Sequence, residues 1–329
     1  MIITKKQSSY ILPLASLSLI LALLINPSLS IDAAKTGLLL WFNIVLPSLL
    51  PFIIASNILM ASGSVYFFEK LFRPIMWPLF RLPGCCAFPW VMGLISGYPM
   101  GAKLAANLWN ENQITDSELQ RLLSFCNNSG PFFILGAVGS GIFNDPALGY
   151  FLIKVHFISS LMVGLIFRFY GQASRPRPST YNNTFKPASS IGGVLASSIS
   201  SSMEVIAQIG GYIIFFSVIG ALLRKASSVL TLAKIVNLLF KPLGMTASLA
   251  LSWIIGLSEM SNGISLLAKV QGPQTLKLAV ISFILAWGGL SIHAQSLHFL
   301  KNTKIKTPLY LFGKFLHGVF AFILTYILL

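Results

Sequence analysis

The residues of this chain that could do chemistry lie where apolar runs are interrupted. Glu259, in GLSEMSNG, and Lys103, in YPMGAK, are charged side chains next to apolar segments. A charge at membrane depth costs at least about 2.5 kcal/mol on insertion scales. Glu259 is therefore expected to face a cavity, to hold a coupling proton or cation, or to pair with Lys103. Lys103 suits an anion partner, and its long stem equally allows it to snorkel to the headgroups. Around these two, Ser96, Gly97, Tyr98, Asn127, Asn128, Ser129, Gly130, Ser261, Asn262 and Ser291 bring neutral donors, acceptors and open backbone to the interruptions. Ser and Asn also cap helices well, and capping does not preclude binding. Such a set binds a small polar solute more naturally than it makes or breaks bonds.

The motifs of enzymes are missing: there is no phosphate loop, no H-E-x-x-H, no G-x-S-x-G elbow and no paired Asp motif. Ser96 and Lys103 could act as nucleophile and base, as in variants of the catalytic triad, but nothing sets an oxyanion site beside them. Cys85, Cys86 and Cys126 have neither metal-ligand spacing nor a disulfide framework. They read as packing residues, and no metal or other cofactor is expected. Among the four histidines, His293 alone falls at an interruption.

The elements that must position these residues are membrane helices. Hydrophobic residues make up 55% of the chain and charged residues 9%, against roughly 25% charged in soluble domains. The net charge of +15 is spread through short loops, which suits contact with anionic membrane lipids at the cytoplasmic face, and attraction of an anionic solute, rather than nucleic acid. In lipid, each backbone group freed by a break costs several kcal/mol unless protein or trapped water satisfies it, so breaks at membrane depth line cavities. Two breaks, Ser96-Gly97-Tyr98-Pro99 and 127–131, fall in one short stretch.

In chain order, Lys5 and Lys6 precede an apolar run at 10–25, read as an uncleaved first span within residues 1–35, with a cytoplasmic N-terminus. Residues 38–60 form a second span that Pro47 and Pro51 should kink. Residues 66–80 suit a helix along the interface, cut into short pieces by Pro74 and Pro78. The run at 83–95 is too short to cross and, with a helix to residue 110, reads as a re-entrant hairpin. Thr115 and Glu118 have the spacing of a capping box. Residues 146–170 cross, and 171–190 form a polar linker. Beyond it come a span at 203–223, a basic amphipathic stretch at 224–241, a short apolar piece at 249–257, a polar break at 258–263, an apolar run at 276–290 and a last span at 308–329.

The two sides of the linker, 36–170 and 191–329, repeat one order of elements. Leu79-Phe80-Arg81 aligns with Leu239-Phe240-Lys241, Gly101 with Gly263, and Ser129 with Ser291. Paired interrupted segments in two halves point to the midplane site of a secondary transporter. The expected fold is an all-α polytopic membrane protein of two repeats with re-entrant hairpins and broken helices, inverted relative to one another. The hairpins around Pro99 and Met260 should meet.

The runs GLISGYPMGAK, RLLSFCNNSGPFFILGAVG and GLSEMSNG resemble sporulation integral membrane proteins of endospore-forming bacteria, of the stage V sporulation protein V type. That family lies within a wider group sharing the nucleoside-recognition, or gate, domain. The resemblance covers the chain from about Trp41 onward. It implies that both repeats are gate-type and that the function is delivery of dipicolinic acid from the mother cell toward the spore across the outer forespore membrane. A planar dianion suits helix N-termini, Ser and Asn donors and one Lys. Glu259 would repel it unless protonated or paired, which favours a role with the coupling ion. The alternative is a non-transporting sporulation scaffold or sensor that binds a nucleoside-like ligand or a partner protein. A scaffold need not bring the breaks around one cavity. The expected partners are the anionic solute, membrane lipids and a coupling proton or cation, with no nucleic acid and with an oligomer left open.

Overall fold

The computed structural model describes residues 5–61, 65–171 and 190–329, and all regular structure among them is helical. The first half contains α1 (Lys5–Ile25), α2 (Pro27–Leu40), a π turn at Trp41–Val45, α3 (Leu46–Ala61), α4 (Val65–Phe80), α5 (Ala87–Ser96), α6 (Met100–Asn110), α7 (Asp116–Cys126), a π-helical segment at Phe133–Ile142 and α8 (Pro146–Phe167). The second half contains α9 (Ile191–Lys225), α10 (Ser227–Phe240), α11 (Ala247–Ser258), α12 (Met260–Lys269), α13 (Gln274–Trp287), α14 (Gly289–Leu300) and α15 (Thr307–Leu328). Among the described residues, five helices are long and apolar enough to cross a membrane, or up to seven if each bent pair counts as one span.

The order of elements repeats. In each half a long helix or helix pair leads to an amphipathic helix (α4, α10), a sharp bend, a short helical hairpin (α5–α6, α11–α12), a helix ending in a break (α7, α13) and a closing long helix (α8, α15). The bends that follow α4 and α10 are 108° and 118°. Sidedness in a membrane is not part of this correspondence, so the inversion of the halves stays an expectation.

Several boundaries differ from the sequence reading. The helix placed at 38–60 starts at Pro27 and runs as one apolar span, Pro27–Leu59, so residue 35 lies inside α2 and not at its start. Neither proline breaks it: Pro47 directly follows the π turn, where the backbone bonding register already shifts, and Pro51 lies within α3. Pro74 and Pro78 do not cut 66–80 into pieces: α4 is one helix containing both. α9 extends well beyond 203–223 at its N-terminal side and carries Arg224 and Lys225 in its last turn. At ~1.5 Å per residue, its 35 residues exceed the ~30 Å hydrocarbon layer. The break at 258–263 shrinks to Glu259, since α12 begins at Met260. The linker at 171–190 falls, apart from its end residues, outside the described residues.

The centre is built from both halves: α13 packs on α15, α8 on α15 and on α7, and α7 on α15. α13 is buried on nearly every side from Leu278 to Ala286, where its residues are apolar apart from Ser282. α7 opens with the expected capping box: Glu118 N donates to Thr115 Oγ1 (3.3 Å) and Thr115 N to Glu118 Oε2 (2.7 Å). Leu119, Leu122, Leu123 and Phe125 are buried as their spacing predicts, yet so are Glu118, Gln120, Arg121 and Ser124. Polar side chains are therefore part of this core and the apolar ones also face outward, as in α1, where Leu14, Leu17, Leu21 and Leu24 are exposed.

Candidate functional site: a cavity where four helix breaks meet

The first hairpin turns at Gly97, with φ +78°, where a side chain is strained and a Cβ would come within 2.6 Å of Gly130 N. Gly97 thus sets the turn and lets the first break touch the second. The second half repeats the contact: Gly289, φ +85°, lies against Glu259, with a Cβ there 3.2 Å from Glu259 Cα. Within the second hairpin, a Cβ on Gly263 would overlap Gly256 Cα, so α11 and α12 cross on a glycine pair.

The four breaks converge on one cavity. Ser96, Gly97, Tyr98, Ser129 and Gly130 line it from the first half, and Glu259, Ser261 and Ser291 from the second. Phe52 and Phe132, stacked with centroids 4.3 Å apart, form an apolar wall with Tyr212. The cavity measures about 40 Å³, room for a few water molecules.

The hydroxyls of Ser96 and Ser129 are buried without any hydrogen-bond partner, so they are free to serve an occupant. The first turn of α14, which carries Ser291, has no side-chain cap, leaving its N–H groups and dipole open to a negative group. α12 is different. Glu259 accepts from Ser261 N (3.0 Å) and Asn262 N (2.7 Å), so its carboxylate lies on the helix N-terminus, a favourable place for a buried negative charge.

Four predicted residues, Lys103, Asn127, Asn128 and Asn262, stand apart from this cavity. Lys103 is exposed, with Nζ 5.8 Å from the centre of the Phe299 ring, and lines a neighbouring cavity that shares Ser96 and Tyr98 with the first. No ion pair joins it to Glu259, and Ser96 Oγ makes no hydrogen bond to it, so the pair has no nucleophile–base geometry. Asn128 turns back to the Phe125 carbonyl (2.6 Å). Asn262 accepts from Ser217 Oγ (2.8 Å) and donates to the Ile213 carbonyl (3.3 Å), tying α12 to α9.

Asn127 leads to a polar cluster that the sequence reading missed. Its Nδ2 donates to Ser296 Oγ (2.9 Å) and Tyr310 OH (3.1 Å), and its backbone carbonyl accepts from Lys314 Nζ at 2.7 Å. Lys314 also meets His317 Nδ1 (3.1 Å), and His317 Nε2 meets the His156 carbonyl (3.0 Å). His156 Nε2 accepts from Ser129 N (3.1 Å), which joins the cluster to the cavity wall. His293, expected at a break, lies inside α14 and contacts Tyr310 OH (3.4 Å). The signal was present: Lys314 and His317 stand three residues apart in an apolar run, hence on one helix face.

Two half-length units with paired hairpins and interrupted helices around a small polar cavity define a membrane protein of the gate class. A family profile described as Gate, nucleoside recognition, matches residues 42–143, the first of the two halves. The chain is 36% identical over 316 residues to the sporulation integral membrane protein YlbJ of Bacillus subtilis (strain 168), covering 90% of this chain and 76% of that protein. The chain thus belongs to the YlbJ family of sporulation integral membrane proteins. No solved structure matches it.

Proposed function

We propose that this protein is a secondary transporter of a small anionic solute, and that the solute is dipicolinate carried toward the forespore across its outer membrane. The observation that carries this reading is the convergence of four breaks, two from each half, on one cavity that holds two unpartnered buried hydroxyls and an uncapped helix N-terminus. A scaffold has no need of that convergence. Kinship with a sporulation protein supports the setting, and the resemblance noted above supports the solute. A cavity with room for a few waters corresponds to a closed state, so a planar dicarboxylate enters when the two hairpins part. Glu259, held on the N-terminus of α12, shapes the cavity floor, while Ser96, Ser129, Ser291 and the first turn of α14 meet the carboxylates. Radiolabelled dipicolinate uptake into liposomes containing only this protein tests the reading. Uptake above that of empty liposomes, competed by unlabelled dipicolinate, is expected; no uptake under any imposed ion gradient would overturn it.

A further inference from the structure

Lys314 is fully buried in α15, and three groups lie against its nitrogen as acceptors. They are the Asn127 carbonyl (2.7 Å), His317 Nδ1 (3.1 Å) and the face of the Tyr98 ring (5.1 Å to its centre). Three acceptors match the three N–H bonds of an ammonium. The bonds of the two histidines fix where their protons lie. The His156 carbonyl can only accept, so His317 Nε2 carries a hydrogen and neutral His317 presents its Nδ1 lone pair to Lys314. His156 already uses its Nε2 lone pair to accept from Ser129 N. A proton added to either ring there would break an existing bond, whereas a proton on Lys314 completes a set of three.

The ammonium has no counter-charge at hand. The ionisable groups facing Lys314 are Cys126 from α7, His156 from α8, His293 from α14, Tyr98 from the first hairpin, and Tyr310 and His317 from its own helix. α13 adds none, since its Lys277 turns to the Val270 carbonyl. The buried carboxylates among the described residues are committed elsewhere, Glu118 to the cap of α7 and Glu259 to that of α12. An unpaired buried charge in a membrane is costly, and an anion in the cavity beyond Tyr98 and Ser129 is placed to balance it.

We propose that Lys314 binds a proton that enters together with the anion, making the transported species an anion plus a proton. This rests on the transporter reading. Anion and proton favour one another because each supplies the charge the other lacks, and such coupling is reciprocal. The lone pair of the neutral Lys314 amine takes up the proton, and no other bond changes.

The test is calorimetry of dipicolinate binding to the purified full-length protein near neutral pH in buffers of different ionisation enthalpy, which reports protons taken up on binding. The wild type should take up about one proton per dipicolinate. Lys314→Arg keeps the charge but does not release its proton near neutral pH, so it should bind dipicolinate with no proton uptake. Lys314→Met should bind at least about tenfold more weakly, again without proton uptake. Elution as a single species on size exclusion marks a folded variant, and either variant serves. Binding by the wild type without proton uptake, or undiminished proton uptake in a folded variant, overturns the proposal and leaves the transporter reading standing. Absence of binding and of uptake in the wild type overturns both.

Discussion

Tyr98, at the tip of the first hairpin, donates its hydroxyl to the carbonyl of Ala286 (3.0 Å), in the last turn of α13 in the other half. The same hydroxyl lies 3.3 Å from the Leu285 carbonyl. α13 ends two residues later at Gly288, so these carbonyls belong to a terminus that lacks helical partners. One side chain from the first break therefore closes the backbone opened by the second half.

Tyr98→Phe should keep the ring beside Lys314 but leave these buried carbonyls without their donor. The expected cost is about 1–3 kcal/mol, read as lower thermal stability of the purified protein in detergent. An unchanged melting temperature would show that water or another group satisfies the carbonyls.

Ser96→Ala and Ser129→Ala remove hydroxyls that serve no partner within the protein. Stability should be unaffected or slightly raised, while dipicolinate binding weakens roughly two- to tenfold for each lost hydrogen bond of ~0.5–1.5 kcal/mol. Titration of both variants at one pH checks this, and wild-type affinity in both would remove these hydroxyls from the site.

Glu259→Gln should act on the fold. Both carboxylate oxygens accept N–H groups of α12, whereas an amide offers one oxygen and turns its NH₂ toward the other donor. The expected loss is about 1 kcal/mol of stability, with dependence of uptake on the imposed gradient retained. Loss of that dependence at normal stability would return the coupling role to Glu259.

Gly263→Ala should lower the amount of folded protein sharply, because its Cβ overlaps the Gly256 backbone and the helices of the second hairpin cannot separate without opening the cavity. Gly192→Ala, where nothing lies within 4 Å of the new carbon, is the control. Membrane-fraction levels of the two variants should differ clearly; equal levels would mean that the hairpin adapts.

The sequence by itself determined where the central helices are interrupted. Gly97 with Pro99, Asn127 through Pro131, and Gly288 with Gly289 interrupt apolar runs through their own backbone preferences, and the capping box at Thr115 and Glu118 is likewise a matter of neighbours in sequence. Composition settled that the chain lies in a membrane, and the order of breaks revealed two halves. Effects that depended on more than immediate neighbours were misread. Pro74 and Pro78 stayed inside α4, and transmembrane helices tolerate proline when surrounding groups satisfy the freed carbonyls. Only the tertiary structure decided which polar groups meet. Lys314 and Asn127 are 187 residues apart, as are Tyr98 and Leu285, and no local periodicity records such a pairing. The packing of α7, α8, α13 and α15 places Lys314 behind the cavity and leaves Lys103 exposed beside the Phe299 ring. Burial, which gives an ionisable group its chemistry, belongs to the packed helices together and not to the residue's own stretch of chain.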